Sequence, residues 1–169
     1  MVFLRPGLPP RHLLDSMKVP RGAKILAVAA LEGGAWLVAT TLGLAVSRDG
    51  EGRFHPWDKI DRAALRKGRS VLAITFTGQT APEEFPIGAN DKRFTSILNE
   101  QVKASVVEVE HVSAPGGQVI VALRRDPSDQ RVYLQEIPDP GVDADAAAPL
   151  IRQARNRLGE AAGLPRHTW

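Results

Sequence analysis

From Lys24 to Ile137 the sequence breaks into short apolar segments, each ended by glycine, proline or an aspartate-bearing turn, with room for one helix among them. Strands that follow one another without intervening helices join by hairpins, so the chain builds antiparallel sheet and not a doubly wound parallel one. Ile25–Ala30, Trp36–Thr40 and Gly43–Val46 come first, divided by Gly33-Gly34 and Gly43. The stretch from Arg48 through Gly50 to Gly52 reads as a loop by its Asp-Gly chemistry. Trp57–Leu65 reads as a strand, although Asp61–Arg66 suits a helical turn as well. In Ser70–Phe76, Leu72, Ile74 and Phe76 alternate with Val71, Ala73 and Thr75. A turn over Gly78–Pro82 leads into a short strand at Glu84–Ile87.

Asn90 or Asp91 can cap a helix in which Phe94, Ile97, Leu98, Gln101 and Val102 recur at near-helical spacing. Ser105–Val112 puts Val107, Val109 and His111 on one face of a strand and Glu108 and Glu110 on the other. Pro115-Gly116-Gly117 turns into Val119–Leu123 as a hairpin, and Arg125–Asp129 turns into Arg131–Ile137. Pro149 then opens the last helix, as proline does at a first helical position. Its apolar stripe is Leu150, Ile151, Ala154, Leu158 and Ala161, and Gly163 with Pro165 ends it. The sequence therefore predicts a single α+β domain over residues 23–163, mostly antiparallel, with about nine strands and two packing helices. An irregular, proline-rich basic arm (1–22) precedes it, with a helical turn at Arg11–Lys18 and with Val2, Phe3 and Leu4 available to pack on the body. A tail (164–169) follows. The predicted core contains Leu72, Ile74, Phe76, Phe94, Leu98, Val107, Val109, Val119 and Val121.

Residues 24–103 resemble the bacterial pleckstrin-homology-like and GRAM-like domains. The likeness rests on an apolar strand ending in threonine, Trp36-Leu37-Val38-Ala39-Thr40, followed by the apolar strand Leu42-Gly43-Leu44-Ala45-Val46. Pro56-Trp57-Asp58-Lys59-Ile60 then starts the next strand, and Phe85–Val102 supplies a closing strand with an amphipathic helix. The resemblance implies a partial barrel capped by that helix, extended here by three strands and a second helix over 104–163. A pleckstrin-like barrel has seven strands before its helix, whereas the segments above give six. The whole chain also resembles an uncharacterised actinobacterial family. The shared segments are Gly34-Ala35-Trp36-Leu37-Val38-Ala39-Thr40, Ser105-Val106-Val107 and the run from Gln135 through Pro138 and Gly141 to Asp143. That second likeness carries no activity with it.

The 169 residues include no cysteine, which removes thiolate chemistry, disulfides, iron–sulfur clusters and Cys-ligated zinc. No phosphate-cradling glycine loop, Gly-x-Ser-x-Gly elbow or His-Glu-x-x-His is present. His12, His55, His111 and His167 share no ligand-like spacing; His55, before Pro56 in a loop, can titrate but has no evident partner. Asp139, Asp143 and Asp145 with Gly141 outline an acidic segment. Turn formation and capping of the following helix explain it better than a calcium loop, which would end in a glutamate ligand. No cofactor is implied. No apolar run reaches the length of a membrane span, and the start Met1–Pro10 carries none of the length a signal peptide needs, so a cytoplasmic protein is expected.

Net charge is +3, with both ends basic: residues 1–22 and 150–169 each carry +3, and the body between them 14 basic against 17 acidic residues. Such a layout argues against a nucleic-acid face, which needs a basic stripe on the folded body. Phosphoinositide binding is also disfavoured. The loop that carries basic residues in the pleckstrin-like family is here Leu31-Glu32-Gly33-Gly34-Ala35, with one acid and no base. Arg62, Arg66, Lys67 and Arg69 form a basic cluster beside a turn, read together with Arg124-Arg125 as solvated faces. Trp36 and Trp57 are candidate core anchors, while Arg152, Arg155 and Trp169 outline a candidate interaction surface, a second copy of the chain being one partner it suits. The expected function is a non-enzymatic binding or scaffolding module that engages another protein. The alternative is a binder of nucleic acid or an anionic surface through the basic termini.

Overall fold

The computed structural model describes residues 7–66, 68, 70–88 and 91–165. It is an α+β protein, and among the described residues ten strands form three antiparallel sheets. The chain divides into two compact units, Met1–Lys103 and Ala104–Trp169.

In the first unit, β1 (Ile25–Ala30), β2 (Trp36–Thr40), β3 (Gly43–Arg48) and β4 (Glu51–Pro56) form one meander. β5 (Ile60–Arg66), β6 (Val71–Phe76) and β7 (Glu83–Pro86) form a second. Helix α2 (Lys92–Ala104) follows. Seven strands thus precede α2, one more than the sequence segments give. The missed strand is β4. Asp49 and Gly50 both take positive φ (54° and 81°), which makes the Asp-Gly stretch a two-residue hairpin turn and not an open loop. β4 itself, Glu-Gly-Arg-Phe-His-Pro, is an edge strand that lacks apolar alternation. Trp57–Lys59 forms a separate 3-10 turn, so the predicted strand from Trp57 begins at Ile60.

The inward side chains of both sheets share one core. Leu37, Leu44, Val46, Trp57 and Ile60 meet Leu72, Ile74, Phe76 and Phe85, and Phe94 and Leu98 of α2 complete the cluster. The Trp57 indole N–H donates to the Thr40 carbonyl at 3.0 Å, which satisfies its polar edge inside the core. The Thr40 hydroxyl accepts from the Gly43 N–H (3.0 Å) and donates to the Gly43 carbonyl (2.8 Å), fixing the β2–β3 turn.

The arm is not irregular throughout. Residues Arg11–Ser16 form a short helix, α1, whose Leu13 and Leu14 join Met17, Val38 and Ala45 on the other face of the first sheet. Trp36 and Phe54 also pack there, and Met17 is fully buried. Gly52 permits this approach, since a Cβ on it would overlap the backbone of Ser16 and Met17. Val2, Phe3 and Leu4 lie outside the described residues.

In the second unit, β8 (Val106–Ala114), β9 (Gly117–Arg125) and β10 (Val132–Pro138) form a sheet in the order β10-β9-β8, with α3 (Ala144–Ala161) on one face. The sequence places Val107 and Val109 in the core, and the structure corrects this: they are 45% and 44% exposed. An irregularity between Val106 and Glu108 sets the register so that Glu108, Glu110 and Val112 oppose Leu123, Val121 and Val119, the face that α3 covers. Strand alternation separates two faces without saying which one is covered. Here the acidic face of β8 meets the helix, where Arg157 donates to both oxygens of the Glu110 carboxylate. That contact raises the Arg157 pKa further above its ordinary value.

Helix α3 also starts earlier than proline suggests. Asp143 is its N-cap, the carboxylate accepting from the Asp145 (3.0 Å) and Ala146 (3.1 Å) N–H groups, and Pro149 lies inside the helix. Leu150 and Ala161 are consequently exposed, while Ala147 joins Ala154 and Leu158 in the core. The helix ends as the sequence predicts. Gly163 takes φ +67°, and the Leu164 and Gly163 N–H groups donate to the Gly159 and Glu160 carbonyls, a Schellman closure.

Leu98 is fully buried at the centre of the first core, so Leu98→Ala is expected to cost ~2–5 kcal/mol, read as a lowered denaturant midpoint.

Candidate functional site

A hairpin tip and a loop set the position of α3 in the second unit. The β8–β9 turn, Pro115-Gly116, fits against the loop Asp139–Asp143 that leads from β10 into the helix. The Asp143 N–H donates to the Pro115 carbonyl (2.9 Å), the Asp139 N–H to the Gln118 carbonyl (2.8 Å), and the Gln118 N–H to the Asp139 carboxylate (3.2 Å). Gly116 takes φ +87°, and a Cβ there would overlap the carbonyl of Gly141. The acidic segment is therefore a turn and cap: Asp139 ties the turn and Asp143 starts the helix. Among the described residues no three His, Asp or Glu side chains gather as metal ligands.

Launched from this loop, α3 packs on β8 and β9 more closely than on β10. Its first two turns are rich in alanine, which leaves the space beside β10 unfilled. The result is an open groove of about 640 Å³ between α3 and β10. Val119, Val142, Ala147 and Ile151 are its apolar floor; Glu136, Pro138 and Asp139 form one wall, and Ala148, Arg152, Arg155 and Asn156 the other. Arg155 donates to the Glu136 carboxylate at 2.6 Å across the groove.

The structure sorts the sequence-predicted interaction residues unevenly. Arg152 and Arg155 both line the groove, but Arg155 is held by Glu136 and is not free to meet a second acidic surface. Arg152 is exposed. Arg66 pairs with Glu84 at 2.9 Å and Arg62 is exposed on β5, so the basic cluster is partly neutralised. Lys67, Arg69 and Trp169 lie outside the described residues. Arg124 is buried at 2% exposure, not solvated, while its neighbour Arg125 is exposed. Glu136 and Asn156 gave no signal in the sequence, because only the fold sets β10 beside α3.

A second polar cluster closes the first unit. Leu44 pairs with His55 and Val46 with Arg53, so these two β4 residues share the core-facing side of the sheet. The His55 ring stacks on Phe76 with centroids 3.8 Å apart, and its Nε2 is buried with no hydrogen-bond partner among the described residues. His55 thus sits in a strand with an aromatic partner, and not in a loop. Burial, reinforced by the Arg53 charge, holds its pKa below the ordinary 6.5. Arg53 makes two hydrogen bonds to the Glu83 carboxylate (2.8 and 3.0 Å), and these hold Glu83 below its ordinary 4.5. Arg48 donates to the Glu84 carbonyl at 2.6 Å, and its guanidinium lies over the Phe85 ring.

The chain was compared with protein-family models, curated proteins and solved structures, and it matches none. Among the described residues no helix is long and apolar enough to cross a membrane.

Two outcomes follow from this geometry. Gly116→Ala combines a strained left-handed φ with an overlap on Gly141, and is expected to lower stability by roughly 1–3 kcal/mol in urea titrations. For His55 the unfolded imidazole takes up a proton near pH 6.5, and the folded one only at lower pH. Between those values the unfolded state holds the extra proton, so stability is full above 6.5 and falls as the pH drops through that window. Glu83 adds a second loss below its ordinary 4.5. Urea midpoints measured against pH will show the upper loss in the parent and not in His55→Phe, which keeps a ring on Phe76 and removes the titrating group.

Proposed function

We propose that this chain is a non-enzymatic protein-binding module that receives part of its partner in the groove between β10 and α3. The observation that carries this reading is the groove itself: an apolar floor, a charged rim, and one edge open along β10. Apolar burial supplies affinity in such a site, and a few polar groups at the rim supply orientation. The rim pair Arg155–Glu136 braces the two walls.

For residues 24–103 we propose a pleckstrin-like scaffold. Seven antiparallel strands in two sheets, followed by a helix whose Phe94 and Leu98 enter the shared core, support that reading. The β1–β2 loop with Glu32 and no base supports a scaffold role over phosphoinositide recognition.

The test is selection of displayed random peptides against the intact chain, followed by Ala148→Trp, which fills the groove from an exposed position on its wall. Selected peptides should lose affinity by about tenfold or more in Ala148→Trp, and keep it in Glu100→Ala on exposed α2 surface. Binders indifferent to Ala148→Trp, or a selection that yields no binder, would remove the groove as the site.

A further inference from the structure

Resting on that reading, we infer that the occupant is an extended peptide segment of a partner protein. It adds as a further strand to the free edge of β10 and places a carboxylate on Arg152. The edge follows from the hydrogen-bond phase of the sheet. The Asp126 N–H donates to the Arg131 carbonyl and the Asp139 N–H to the Gln118 carbonyl, so the odd-numbered residues between them exchange bonds with β9. The N–H and C=O groups of Val132, Leu134 and Glu136 therefore point away from β9. Among the described residues no strand pairs with them. Pro138 has no N–H to offer and ends the run.

An edge of this kind beside an apolar groove recognises backbone by its hydrogen bonds and alternate side chains by the groove. The even-numbered residues of β10 direct their side chains to the α3 face, as the packing of Val132 and Leu134 on that core shows. An added strand would direct every second side chain to the same face, where Val142 and Ile151 offer apolar surface.

Charge selects the chemistry. Arg155 is held by Glu136 and Arg157 by Glu110, while Arg152, exposed on the groove wall, makes no hydrogen bond or ion pair with the described residues. It is available for an acidic side chain entering the groove. A second copy of the chain fits less well, because its own β10 already commits Val132 and Leu134 to its own core and has no side chains left for the groove.

The probes are capped heptapeptide pools of alternating apolar residues with one Asp or Glu, matched pools with Asn or Gln there, and the acidic pool N-methylated on alternate amides. The acidic pool should bind the intact chain about tenfold tighter than the amide pool, and Arg152→Gln should abolish the difference. On binding, the Leu134 and Glu136 amides should gain protection from hydrogen exchange, while the Tyr133 amide, already bonded to β9, should not change. N-methylation in the edge-facing phase should abolish binding. Groove binding that is blocked by Ala148→Trp, yet leaves the Leu134 and Glu136 amides unprotected or prefers the amide pool, would overturn strand addition or the carboxylate and leave the groove reading intact. Protection of those amides that grows with protein concentration in the absence of peptide would make a second copy the occupant and overturn the inference. Failure of every pool overturns it as well; the groove reading falls only if the displayed library also yields no binder that Ala148→Trp blocks.

Discussion

The absence of a side chain at Gly116 is the constraint on which the second unit depends. The carbonyl of Gly141 occupies the place where a Cβ would sit, so the β8–β9 hairpin tip and the loop after β10 interlock at backbone distance. That interlock brings the Asp143 N–H to the Pro115 carbonyl and sets Asp143 where its carboxylate caps α3. This close approach fixes where the helix leaves the loop, and the small residues of its first two turns then leave the space beside β10 unfilled. The far end is fixed separately, by the Arg157–Glu110 pair and the Leu164 closure over Gly163.

The first unit solves a different problem. Its two meanders share an aliphatic core, yet the β4 edge directs Arg53 and His55 to the same side as Leu44 and Val46. Charge on that side is tolerated because each group finds an answer on the second sheet: Glu83 for Arg53, and the Phe76 ring for His55. Arg48 lies over Phe85 nearby. Inward-directed charge on an edge strand also discourages further strand pairing there. The β10 edge carries no such guard along Val132–Glu136 beyond the Glu136 carboxylate, which Arg155 engages.

Much of the architecture was legible from local pattern. Leu72, Ile74 and Phe76 alternate and are core; Phe94 and Leu98 recur at helical spacing and are core; Gly163 stops α3. Pattern failed where a second chemistry competed with it. Asp49-Gly50 signals a turn without saying that a strand poor in apolar residues follows it. Pro149 suits a first helical position, but the Asp143 carboxylate is the stronger start because it satisfies two orphan N–H groups.

The sequence by itself determined the antiparallel class, the absence of thiol chemistry, the β8–β9 hairpin and the helix-forming segments, since each depends on a residue and its near neighbours. Tertiary structure alone decided which face of β8 is covered, for Val107 and Glu108 alternate identically in either case. It also decided that Arg155 meets Glu136 while Arg152 is left exposed, and that small residues on α3 stand beside β10 to leave a groove. Those outcomes depend on register and on distances between segments far apart in the chain, and no local preference encodes them.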